Sequence, residues 1–162
     1  MTLAARHVLE DCTEALHEFA GDLHGARWRI IYMANIALLR TVYPVLKNRD
    51  APANPRLRAV FSRWDNDLWS TKPSPEIYWE FIVSERNQLL KEYTATPVRI
   101  APVAEIHFNL STGETKDMGT VRQQYLMAEG PFAGQEQRHL IKQAIQWWYA
   151  QLEQLDRAAR TR

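Results

Sequence analysis

The spacing of apolar residues changes twice along this chain, and no other feature constrains the fold as strongly. From Leu3 to Tyr93 apolar side chains recur at steps of three and four, which places them on one side of an α-helix. From Val98 onward the step is two. Val98, Ile100, Pro102, Ala104, Ile106, Phe108 and Leu110 fall on one side, and Glu105, His107 and Asn109 on the other, as in a half-buried strand. Ser111-Thr112-Gly113-Glu114 is turn chemistry, and Val121 to Met127 supplies a returning strand. After Gly130-Pro131 and Gly134 the helical step returns in Leu140, Ala144, Trp147, Trp148, Leu152 and Leu155. The expected fold is mainly α, a compact bundle of about five helices with an appended antiparallel β-hairpin. Alone in water such a hairpin is marginal, so it has to pack on the helices.

Within the helical part, Leu3 to Phe19 carries Val8, Cys12, Leu16 and Phe19 at helical spacing, and Gly21 and Gly25 interrupt it. The widest stripe comes next: Trp28, Ile31, Ala34, Leu38, Val42 and Val45, flanked by Ile30 and Leu39, which predicts a central helix. Pro44 lacks an N–H and is expected to kink or end it, and Asn48 to Pro55 reads as a loop. Asn54-Pro55 is a capping residue followed by proline, and it starts a helix carrying Leu57, Val60, Phe61, Trp64 and Leu68. Thr71 to Pro75 breaks that helix. Ser74-Pro75-Glu76-Ile77 repeats the start signal, for a fourth helix that runs to about Tyr93.

A chain of 162 residues, 46% hydrophobic, makes one domain over 1–162 and buries roughly 70% of its unfolded surface. The lone Cys12 excludes a disulfide framework and a cysteine-based zinc site. No apolar run approaches the ~20 residues of a membrane span, and the start lacks a signal peptide's apolar stretch, so no membrane and a cytoplasmic location are expected. His7, His17, His24, His107 and His139 form no pair at three- or four-residue spacing, and no glycine-rich phosphate loop or nucleophile elbow is present. Neither a metal site nor a cofactor is expected.

The net charge of +1 conceals an uneven distribution. Residues 1–20 set Arg6 against Glu10, Asp11, Glu14 and Glu18, while residues 21–63 set eight Lys and Arg against two Asp, a balance of +6. A basic section of this kind is either a solvated helix face or a contact for phosphates. Trp147-Trp148-Tyr149 offers rings that stack on bases, or two core rings and one at an interface.

One charge interrupts an apolar stripe. Trp79, Val83, Leu90 and Tyr93 stand at steps of four, seven and three, a heptad-like seam, and Arg86 falls inside it. A guanidinium keeps its proton and needs partners for its donors. Arg86 is therefore either half of an internal ion pair or part of a site.

The run Arg86-Asn87-Gln88-Leu89-Leu90-Lys91-Glu92-Tyr93 resembles the signature of HEPN domains, the higher-eukaryote-and-prokaryote nucleotide-binding family. That signature is an arginine, a polar residue, a short spacer and a histidine, with a tyrosine two residues later in the HepT-like toxins. Arg86, Asn87 and Tyr93 match it, while Lys91 stands where the histidine belongs. The resemblance covers about residues 26–94, leaving a hairpin (98–127) and a last helix (134–158) outside. It implies a helical fold, a homodimer formed through the Arg86-bearing helix, and candidate site residues Arg86, Asn87, Lys91 and Tyr93.

Active members of the family look like metal-independent endoribonucleases, in which the arginine stabilises charge on the phosphate and the histidine moves a proton. Lysine, with an ordinary pKa of ~10.4, is protonated at neutral pH and replaces histidine poorly as a base. On a helix, Arg86 and Lys91 also project about 140° apart, whereas Arg86 and Tyr93 share a face. The expectation is a bacterial HEPN-like module that binds nucleotide, RNA or a protein partner with little or no cleavage. The alternatives are an endoribonuclease toxin held by a partner antitoxin, and a purely structural or protein-interaction domain in which Arg86 neutralises a buried carboxylate.

Overall fold

The computed structural model describes residues 3–20, 23–100, 104–108, 111–120 and 124–161. Gly21, Pro102, Asn109, Leu110 and Val121 lie outside the described residues. Among the described residues, five helices and a two-stranded antiparallel ribbon make up the fold, as the change in apolar spacing predicts.

Helix α1 spans Ala4–His17 and buries Ala5, Leu9 and Cys12. The residue before it, Leu3, offers no side-chain cap. The cap comes from far along the chain, where the two carboxylate oxygens of Asp50 accept from the backbone N–H groups of Ala4 and Ala5, each at 2.9 Å. A carboxylate there satisfies two orphan donors and faces the positive end of the helix dipole.

Helix α2 spans Gly25–Val45 and continues without a loop through a π-helical turn, Leu46–Asp50, and a short helical turn, Ala51–Ala53. This corrects the expected loop over Asn48 to Pro55. Pro44 is accommodated inside the helix. Leu46, Asp50 and Ala51 are buried, and the Asp50 carboxylate is fixed on α1. Tertiary contacts thus hold a segment whose composition favours a loop. The core face of α2 is Trp28, Tyr32, Asn35, Ile36, Leu39, Val42 and Tyr43. Ile31, Ala34, Leu38 and Val45 flank it half-buried, and Ile30 is 62% exposed. With the added turns, Gly25–Ala53 is long enough to cross a membrane and contains an 18-residue stretch of mean hydropathy 1.2; in the fold its core face packs on α1 and the later helices.

Helix α3, Pro55–Ser70, starts where its cap predicts: Asn54 Oδ1 accepts from Arg56 N at 2.9 Å and Leu57 N at 3.2 Å. Helix α4 is α-helical over Ser84–Glu92 and is preceded without a break by a π-helical segment, Ile77–Val83. A π-turn takes more residues than an α-turn, so it rotates the residues beyond it relative to a 3.6-residue count. The heptad-like seam therefore does not form one face. Trp79 is buried, Val83 and Arg86 are half-buried, and Leu90 and Tyr93 are 57% and 64% exposed. Glu85 and Leu89 take the core-facing positions.

The ribbon pairs β1 (Pro97–Ile100) with β4 (Gln124–Met127), and β2 (Ala104–Phe108) with β3 (Thr115–Thr120), both antiparallel and nested about the same turn. A register shift separates Ala104 from Ile106. Tyr125 anchors the ribbon: its ring stacks on Trp28 at 3.9 Å, and Trp28 stacks on Tyr32 at 5.1 Å.

The last helix, α5, spans Gln137–Arg160, beginning and ending slightly later than 134–158. Trp148 is fully buried and donates its Nε1–H to the backbone oxygen of Leu39 at 3.1 Å, locking α5 onto α2. Trp147 stacks on Tyr78 at 5.3 Å, and Trp147 and Tyr149 pack half-buried against the core. The three rings are thus committed to packing.

Candidate anion-binding groove

A groove of about 470 Å³ runs between the second half of α2 and the middle of α4. From α2 and its continuation it receives Arg40, Thr41, Lys47 and Asn48, with Ala37, Tyr43 and Pro44; from α4 and the turn before it come Arg86 and Asn87, with Val83 and Leu90. Three cations and two amides line it, and no Asp, Glu or His is among the lining residues. Arg40 and Lys47 stand seven residues apart, two helical turns, which brings them to one side of α2.

The three cations differ in how far the protein already satisfies them. Lys47 Nζ lies 3.2 Å from the Tyr43 hydroxyl and 3.6 Å from Asp65 Oδ2, while Tyr43 donates to Asp65 Oδ1 at 2.7 Å. The Tyr43 hydroxyl first, with Asp65 behind it, holds the Lys47 pKa above the ordinary lysine value, so it stays charged at neutral pH. Arg40 reaches the Tyr78 hydroxyl at 3.5 Å and sits 5.5 Å over the Tyr43 ring. Burial pushes the Tyr78 phenol up to about 12 despite the opposing pull of Arg40, so it acts as a neutral group.

Arg86 is the least satisfied. Its Nη1 donates to Asn87 Oδ1 at 3.3 Å, and no carboxylate among the described residues lies within ion-pair distance. Of the two readings of this residue, the internal ion pair finds no partner among them. A half-buried guanidinium with donors to spare, beside Arg40 and a Lys47 that already shares Asp65, in a groove whose lining residues include no carboxylate, is suited to an anion.

A smaller cavity of about 240 Å³ adjoins the groove, lined by Met33, Ala34, Ile36 and Ala37 of α2 and by Arg86, Leu89 and Leu90 of α4. Ala37, Arg86 and Leu90 belong to both walls. A wider hollow of about 570 Å³ lies on α5, lined in part by Glu153 and Arg157, which pair with each other at 2.8 Å.

The structure brings together only part of the expected site. Arg86 and Asn87 face the groove; Lys91 and Tyr93 line neither space. Lys91 is exposed, as the 140° separation implies. Tyr93 ends α4 in the left-handed region, at φ 53°, with the Arg29 guanidinium 5.5 Å from its ring. Among the described residues, no group of three His, Cys, Asp or Glu is placed to hold a metal ion. Cys12 is buried, and that burial, with Asp11 nearby, raises its thiol to about 12, which keeps it unreactive.

Two features of the site are hidden by the apolar spacing. Arg40, Lys47 and Asn48 line the groove, and the basic surplus over 21–63 is their signal. Glu85 is the charge on the core face: it is 3% exposed and accepts from the Tyr32 hydroxyl at 2.8 Å. Nothing in the apolar spacing flags it, because the π-turn shifts the register on which the seam depends.

No protein-family model matches the chain, and no curated protein or solved structure is significantly similar to it. The HEPN-like resemblance rests on Arg86, Asn87 and Tyr93, and the first two of these line the groove.

Proposed function

We propose that this chain is a non-catalytic binding module that takes a phosphate-bearing ligand in the groove between α2 and α4, a site that nucleotides and RNA probe through their phosphates. The observation that carries this reading is the half-buried Arg86 guanidinium, which among the described residues has an amide but no carboxylate as partner and shares its groove with Arg40 and Lys47. Phosphates are recognised by such donors, and the HEPN-like match at Arg86 and Asn87 points the same way.

Binding without cleavage is in keeping with the chemistry of the lining. Attack by a ribose hydroxyl needs a group to take its proton, and the groove offers arginine, a lysine held protonated, amides, and the Thr41 and Tyr43 hydroxyls, which donate to the Ala37 carbonyl and to Asp65. Lys91, in the position of the family's histidine, lines neither space.

Fluorescence anisotropy with a short single-stranded RNA, repeated across salt concentrations, tests the reading. Three cations on phosphates give a salt slope of about 2, and each contact removed lowers it by about 0.7. Arg86→Gln is expected to weaken binding at least fivefold and to lower the slope by one contact. Unchanged affinity and slope in Arg86→Gln and Arg40→Gln would overturn the proposal. Cleavage of RNA by the wild type that Arg86→Ala abolishes would replace it with the endoribonuclease reading.

The proposal includes self-association where the start of α2 meets the end of α4. There Ile30 and Tyr93 are 62% and 64% exposed, away from the groove. A monomer by light scattering at micromolar concentration overturns that part alone.

A further inference from the structure

We infer that the ligand of this groove is an amphiphilic phosphate: its anionic head sits on Arg86, and an aliphatic chain fills the adjoining cavity between α2 and α4. The inference rests on the reading of the groove as an anion site and adds the class of compound.

Two spaces of opposite chemistry meet at one side chain. The groove carries the cations, while the cavity walls are Met33, Ala34, Ile36, Ala37, Leu89 and Leu90, with Arg86 as their one polar member. An arginine has an apolar stem and a charged end, so a single residue can serve both environments. The space exists because α2 presents alanine at positions 34 and 37 opposite α4, where larger side chains would close the gap.

The lining selects for hydrocarbon over a nucleobase. A base brings donors and acceptors along its edge, and in a cavity walled by methyl and methylene groups those would lose water without gaining partners. A methylene chain loses nothing of the kind, and each methylene buried there improves binding about fourfold. Leu90, 57% exposed at the shared wall, would be covered by such a chain. The groove's volume of about 470 Å³ lies within the range of small-molecule sites, roughly 300–1,000 Å³.

Titration calorimetry on the full chain tests this with inorganic phosphate, AMP, octyl phosphate below its micellar concentration, and octanol. Octyl phosphate is expected to bind at least tenfold tighter than inorganic phosphate or AMP, and octanol far more weakly than octyl phosphate. Arg86→Gln should weaken phosphate and octyl phosphate alike, at least fivefold. Ala34→Leu fills the cavity without lining the groove, so it should remove the octyl advantage and leave phosphate affinity unchanged; if that variant does not fold, Ala34→Val carries the test. Equal affinity for octyl and inorganic phosphate, or an octyl advantage that survives filling, overturns the inference while phosphate binding upholds the groove. Octanol binding as tightly as octyl phosphate also overturns it. Loss of all phosphate binding overturns the groove reading itself.

Discussion

The Tyr32 hydroxyl donates to Glu85 Oε2 across 2.8 Å inside the core, joining α2 to α4 over 53 residues of sequence. This bond fixes the rotation of α4. With Glu85 turned inward on Tyr32, its neighbour Arg86 is carried round to the groove. Burial first, and then the carboxylate beside it, raise the Tyr32 phenol well above the ordinary tyrosine value, so it remains a donor. Tyr32→Phe leaves a buried carboxylate without its partner and is expected to cost about 1–3 kcal/mol. Urea denaturation measures this, and Glu85→Gln, which keeps a hydrogen-bonding group on Tyr32, should cost less than Glu85→Ala.

Asp50 ties the end of α2 to the first turn of α1. Asp50→Ala removes both acceptors from Ala4 and Ala5 and is expected to destabilise the fold by about 1–2 kcal/mol. Asp50→Asn keeps one acceptor and loses the charge at the helix dipole, for an intermediate loss. Amide exchange in the first turn of α1 should accelerate in the same order. Equal exchange in all three proteins would show that the cap does not hold that turn.

Alkaline pH should unfold this protein sooner than a bundle with solvated tyrosines. The Tyr78 phenol ionises near 10 when solvated and near 12 when folded, and Tyr32 is raised in the same direction. For a group raised in the folded state, its contribution is complete below the unfolded value and is lost as pH climbs toward the folded one. Stability should therefore be flat up to about pH 10. Above that it should fall on the order of 1.4 kcal/mol per pH unit for each such tyrosine. Denaturation midpoints at pH 9 and pH 11 read this, and Tyr78→Phe should show a shallower drop between them.

Much of the fold is legible in the sequence because local signals and tertiary packing agree. Asn54-Pro55 predicts a helix start and Asn54 Oδ1 makes the cap; the step of two from Val98 predicts the ribbon. The misreadings lie where long-range contacts overrule local chemistry. Asn48 to Ala53 has loop composition, and Asp50 holds it helical through its bonds to α1. The π-turn over Ile77–Val83 shifts the frame that would set Trp79, Val83 and Arg86 on one seam. At the site, Arg86 stands out as a charge among apolar neighbours, while Arg40 and Lys47 lie in a segment whose dominant signal is its apolar stripe.

The most direct measurement follows the side-chain NMR signals of the arginines and of Asn87 as AMP or octyl phosphate is added to the full chain. With Arg86 at the centre of an anion groove, the largest saturable shifts should fall on Arg86, Arg40 and Asn87, and they should vanish in Arg86→Gln. Shifts that avoid these residues, or persist unchanged without the guanidinium, would contradict it.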